Sequence, residues 1–259
     1  MLDSGLWPSG LPWPHPGIGR EVAFLSIVLV FSVLSSALGI GGFALLPLFV
    51  WHYGAKAGVT VITLYFLFQN VSKLVLLWRH VDFAVAWKLV AWAAPGAIAG
   101  GALLVVIPAQ HFQRILGAGI LLLVLVPRVL PNPRRPSATM RRAGFASFGI
   151  AYGVVSGVLG SGNVLKGPLL TSIGVLKERY IGTYALTSLA LNVPKLVVYH
   201  EGGIASSQLL ARSWPLLVVS LTGTYIGKRV LRHIPDAVFE RVTTITFVIS
   251  ALLMILLPT

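Results

Sequence analysis

Hydrophobic positions along the chain gather in long runs that few charges interrupt. The first covers residues 22–50, and others follow at roughly 57–78, 83–107, 112–130, 143–176, 180–200, 205–227 and 242–257. Several reach the ~20 residues that an α-helix needs to cross a bilayer. None shows the ~10-residue alternation and turn punctuation of an outer-membrane barrel strand. In hydrocarbon every backbone polar group must be satisfied within the protein, which leaves helices. The pattern therefore predicts an all-α integral membrane protein with eight apolar segments.

Two of the runs contain a backbone break. LGIGGFALLP occupies residues 38–47 and LGSGNVLKGP residues 159–168, so Gly39, Gly41 and Pro47 recur 121 residues on as Gly160, Gly162 and Pro168. QNVSKL at 69–74 recurs at a shift of 122 as LNVPKL at 191–196, and Trp87, Gly96, Gly100, Pro108, Phe112 and Arg114 recur at 127 as Trp214, Gly223, Gly227, Pro235, Phe239 and Arg241. Shifts that grow only at loops indicate a duplicated four-segment unit, an organisation common in transporters. The expected layout is an irregular tail at 1–20, a first membrane repeat at 21–130, a basic linker at 131–142 and a second repeat at 143–259. The tail has no basic start, and no small-residue cleavage site follows it, so it is expected to remain in the mature protein.

Charge decides how the repeats are oriented. Three lysines lie inside segments, Lys73, Lys166 and Lys195. If all eight segments cross, the other basic residues divide nine against eight, which orients nothing. If the first and fifth segments turn back at their glycines as re-entrant hairpins, thirteen fall on one face and Arg20, Lys56, Arg114 and Arg212 on the other. The 29 residues of 22–50 would also make a helix of about 43 Å, too long for one upright crossing. The expectation is six full spans and two hairpins, with the repeats inverted and both termini outside. The net charge of +13 then reads as basic cytoplasmic loops meeting anionic lipid. Nucleic-acid binding is not expected, because the basic residues punctuate apolar spans and line no soluble face.

With no cysteine in the chain there is no disulfide, thiolate metal site or thiol nucleophile. The histidines are scattered, most of them at segment ends, and read as interfacial. Gly160, Ser161 and Gly162 superficially suggest a serine hydrolase with His200 as base, but nothing in the sequence orients that histidine. No cofactor and no metal are expected.

The candidate chemistry is anion binding. At each break a new half-helix begins with amides that lack an intrahelical partner, and such a terminus suits an anion. This points to Gly41 and Gly42 in the first copy and to Ser161, Gly162 and Asn163 in the second, where Lys166 also stands in place of Leu45. Gly96, Gly100, Gly223 and Gly227 read instead as close helix contacts. Asn70 with Lys73, and Asn192 with Lys195, share a helix face at a spacing of three. An ionisable group inside a span marks a site unless its stem snorkels to the interface. No acidic residue lies within a span to pair these lysines, so an anionic ligand would supply the missing charge.

These breaks, the paired QNVSKL and LNVPKL elements and the Gly-xxx-Gly before a proline in each half resemble the TauE/SafE sulfite exporter family over about residues 24–257. The resemblance implies a plasma-membrane permease for sulfite, sulfoacetate, sulfolactate or related anions, with relatives assigned to export and to uptake. It carries over to the break glycines with Ser161 and Asn163, and to Asn70, Lys73, Asn192 and Lys195; Lys166 has no counterpart in the first half. The expected function is anion export by alternating access, with an anion channel or a non-transporting scaffold as the alternatives. An enzyme lacks support, since neither paired acids nor an oriented nucleophile is present. The expected partners are the small anion and membrane lipid. A homodimer is compatible with such a permease, though no interface is legible.

Overall fold

A computed structural model gives the fold and describes residues 18–38, 45–108, 118, 138–160, 166, 170, 175 and 177–230. Among these all regular structure is helical. The helices are α1 (Ile18–Leu38), α2 (Leu45–Tyr53), α3 (Ala55–Leu77), α4 (Phe83–Val106), α5 (Ala138–Leu159), α6 (Lys177–Glu201), α7 (Ser207–Arg212) and α8 (Trp214–Val230), with a 3-10 turn at Trp78–His80. Three stretches are long and apolar enough to cross a membrane: Ala55–His80, Phe83–Val106 and Glu178–Glu201. The predicted segments 112–130 and 242–257 lie outside the described residues.

Both glycine breaks end a helix. α1 stops at Leu38 and α5 at Leu159, each one residue before the first glycine of its motif. Gly160 has φ +72°, and a Cβ there would lie 2.8 Å from Thr63 Oγ1 and 3.0 Å from the Val59 carbonyl oxygen. Backbone conformation and close packing on α3 therefore both require glycine. Pro47 is the third residue of α2, in the first turn where a missing N–H costs least.

α2 packs along α3, and its end meets the start of α1, where His52 Nε2 lies 3.3 Å from Glu21 Oε1 and the His52 ring stacks on Phe24 at 4.1 Å. α1 has 21 residues and α2 has 9. At this end His52 is packed among aromatic rings with only 5% of its side chain exposed.

At the centre α3 and α6 lie antiparallel. Thr60, early in α3, donates to the Ile204 carbonyl just beyond α6 at 3.4 Å. At the other end the Asp82 amide donates to Thr183 Oγ1, early in α6, at 2.9 Å, and Arg179 donates to the Asp82 carboxylate at 2.6 Å. α4 packs on α5, and α1 on α8. The first of these contacts is backbone against backbone: a Cβ on Gly96 would strike the Ile150 carbonyl, and one on Gly153 the Ala93 carbonyl. In the second, Gly223 faces the Ser32 side chain and Ser36 shares a 3.1 Å hydrogen bond with Thr224. Gly96, Gly100 and Gly223 are thus packing glycines, as their spacing suggested.

The segment predicted at 205–227 is not one helix. α7 ends at Arg212 and α8 begins at Trp214, with Pro215 as its second residue. A proline ring clashes with the carbonyl four residues back and leaves no N–H to bond it, so the helix stops and restarts. Trp51 and Trp214 at the Glu21 end, and Trp78 and Trp87 at the Asp82 end, are all more than half exposed. That placement is the aromatic belt of a membrane protein at both interfaces.

Candidate functional site

Midway along the α3–α6 pair is a narrow crevice. Phe66 and Asn70 line it from α3, Tyr152, Ser156 and Gly160 from α5 and its end, and Ser188 and Asn192 from α6. As it stands the crevice is too tight to admit a water molecule. Asn70 and Asn192 hold equivalent places in the two halves. Both are buried, and Asn70 Oδ1 and Asn192 Nδ2 have no hydrogen-bond partner among the described residues. An unmade hydrogen bond in a buried position costs about 1–3 kcal/mol. A ligand that supplies the partner recovers that energy.

The three lysines surround this crevice without lining it. Lys195 Nζ donates to Ser156 Oγ at 3.1 Å, to the Ser156 carbonyl at 3.3 Å and to the Gly160 carbonyl at 2.9 Å. Lys73 Nζ donates to the Ser35 carbonyl at 3.2 Å and to Gln69 Oε1 at 3.0 Å. Ser35 precedes Ser156 by 121 residues, so the two lysines make the same contact in each half. Lys166 Nζ donates to the Tyr184 carbonyl at 2.9 Å, to Thr187 Oγ1 at 3.0 Å and to Ser188 Oγ, and it sits 3.7 Å from the centre of the Tyr184 ring.

Lys166 also shows how the halves diverged. Its counterpart Leu45 packs in the apolar core with Tyr65 and Phe66. In the second half the same three positions are Lys166, Thr187 and Ser188, so a longer cationic chain is accommodated by two smaller polar neighbours. None of the three lysines is more than 2% exposed, which excludes snorkelling. The described ion pairs, Glu21 with His52 and Asp82 with Arg179, lie at the helix ends. Among the described residues no carboxylate pairs with Lys73, Lys166 or Lys195. Buried cations without a counter-charge are costly and are kept where function needs them.

Of the residues singled out from the sequence, Asn70 and Asn192 line the crevice. Lys195 and Lys166 stand one side chain behind it, and Lys73 turns toward Ser35 and Gln69. Gly41, Gly42, Ser161, Gly162 and Asn163 lie outside the described residues. Sequence reasoning missed Phe66, Tyr152, Ser156 and Ser188. A signal existed for two of them: Ser156 repeats Ser35 at the shift of 121, and Ser188 replaces Phe66 at 122. His200 Nδ1 lies 2.8 Å from the Ala205 carbonyl, which places the ring at the end of α6. Among the described residues no group of three histidine or acidic side chains could hold a metal ion.

The family model described as Sulfite exporter TauE/SafE matches residues 23–254. The chain belongs to the TauE/SafE family. Neither a curated protein nor a solved structure matches it. The matched stretch takes in both glycine breaks, all three buried lysines and every residue of the crevice. As a TauE/SafE protein it is a membrane protein of a transporter family, in accord with its apolar helices and with a crevice that offers hydrogen bonds and positive charge.

Proposed function

We propose that this TauE/SafE protein exports small sulfur-containing anions, such as sulfite or an organosulfonate, across the plasma membrane by alternating access around the crevice. The observation that carries this reading is the buried Asn192 amide donor, with no partner among the described residues, set beside three buried lysines that no described carboxylate neutralises. Substrate sites at the midplane, on the interface of two repeats, are the rule in transporters built this way. The tightness of the crevice favours a carrier in an occluded conformation over an open channel.

Inverted repeats are supported by direction. α3 runs from the Glu21 end to the Asp82 end and its counterpart α6 runs back. α1 begins and α2 ends at the Glu21 end, whereas α5 reaches Gly160, beside Thr63, from the opposite direction. Partner exchange agrees, since α1 packs on α8 as α5 packs on α4. The Asp82 end carries Arg79, Lys88, Lys177 and Arg179, and the Glu21 end Arg20, Lys56 and Arg212, which favours a cytoplasmic Asp82 end. Moving an anion outward is then downhill in a cell that is negative inside, and no intramembrane carboxylate is needed to drive it.

Proteoliposomes loaded with sulfite or sulfoacetate test the reading. Saturable, protein-dependent efflux is expected. Flux without saturation would make the protein a channel, and no flux would make it a scaffold.

A further inference from the structure

The two lysines nearest the crevice reach it through one serine each. Lys195 donates to Ser156 Oγ at 3.1 Å and Lys166 donates to Ser188 Oγ, and both serines line the crevice. A hydroxyl has one proton to give and lone pairs to receive. When its oxygen accepts from an ammonium, the hydroxyl keeps its own O–H to donate, and that donor is strengthened by the charge behind it. The Tyr152 hydroxyl, which also lines the crevice, is hydrogen-bonded to both serines, so each serine O–H reaches an anion by turning from Tyr152 into the crevice. Asn192 Nδ2, unpartnered, adds a donor from the same half.

Among the described residues the first half has no serine hydroxyl backed by a lysine on the crevice wall. Phe66 stands where the second half has Ser188, and Lys73 is taken up by the Ser35 carbonyl and Gln69. Leu45 replaces Lys166. The wall from α3 is therefore aromatic and amide, while the wall from α5 and α6 carries two hydroxyls backed by ammonium groups.

We propose that Ser156 and Ser188 are the groups that touch the anion, and that Lys195 and Lys166 are positioning residues that act through them, so that the anion is held on the second-half wall. This rests on the anion-transport reading and specifies how its site works.

The test is a double-mutant cycle on the full chain in proteoliposomes, with initial rates of sulfoacetate and sulfite uptake measured against concentration. Ser156→Ala and Lys195→Met should each raise the apparent KM at least fivefold with little change in maximal rate. The double variant should be no worse than the poorer single, and Ser156→Thr, which keeps the hydroxyl, should restore KM. A double variant whose KM rises by the product of the two single effects would overturn the proposal, because Lys195 would then act on the anion directly. Ser188→Ala and Ser188→Thr ask the same of the second serine and its Lys166, and an unchanged KM in Ser188→Ala would overturn the role of that serine. Absence of any anion flux in the wild type would bring down the transport reading and this inference with it. Flux indifferent to both serines would bring down this inference alone.

Discussion

The ammonium of Lys195 donates to the main-chain carbonyl of Gly160 at 2.9 Å, joining the interior of α6 to the residue at which α5 has just ended. The last carbonyls of a helix lack intrahelical partners and carry roughly half a negative charge between them. Lys195 satisfies two of these oxygens, on Ser156 and Gly160, and Lys73 satisfies that of Ser35 near the end of α1. Each break thus holds its lysine in place and offsets part of its charge. What remains positive is left for an anion.

Gly160→Ala should therefore disturb more than a turn. A left-handed conformation costs a residue with a Cβ about 1–2 kcal/mol, and the new methyl would press on Thr63 and Val59 of α3. Thermal unfolding in detergent should show a clear loss of stability, together with loss of anion binding, because the Lys195 acceptor moves. Wild-type melting would mean that the break tolerates a side chain.

The first half supplies a template for removing charge without leaving a void. Lys166→Leu combined with Thr187→Tyr and Ser188→Phe copies the packing of Leu45, Tyr65 and Phe66. Replacing buried charge by well-packed apolar groups is often neutral or stabilising. The triple variant should melt at or above the wild-type temperature and bind sulfoacetate at least tenfold more weakly. Unchanged affinity would show that the second-half polarity serves folding only.

Much of this was legible in the sequence because membrane helices announce themselves by length and the duplication by identities in order. Asn70 and Asn192 could be found since polar groups in apolar runs are few. The place of the lysines behind Ser156 and Ser188 could not, because side-chain direction depends on how α3, α5 and α6 cross, and a shared spacing of three says only that two residues lie on one face. The split at Ser213 was missed for a different reason. Composition stays apolar across it, and Pro215 alone marks the stop.

Asp82 caps α4 by accepting from the Val85 amide at 3.1 Å and also accepts from Arg179. The Val85 amide contact first, and the Arg179 guanidinium with it, hold its carboxyl below the ordinary value of 3.8 against the opposing effect of burial. A depressed folded-state value means that the stabilisation is complete above 3.8 and is lost as pH falls through the lower folded value. Asp82→Asn should flatten the acid limb of the stability profile, measured by thermal unfolding below pH 5. An acid limb identical to that of the wild type would place the sensitivity elsewhere.

The absence of cysteine makes topology directly measurable. Single cysteines in place of His80 and Ser207 should react with impermeant maleimide from opposite faces, and one at Pro136 from the same face as His80. Labelling of residues 80 and 207 from one side would refute the inverted arrangement.

The most direct measurement is calorimetric titration of sulfoacetate into the purified protein and into Asn192→Ala. A hydrogen bond to a charged group contributes about 1.5–3 kcal/mol, so removing the unpartnered amide should weaken binding by about tenfold or more. If the wild type binds and Asn192→Ala binds equally well, the crevice between α3 and α6 is not where the anion sits.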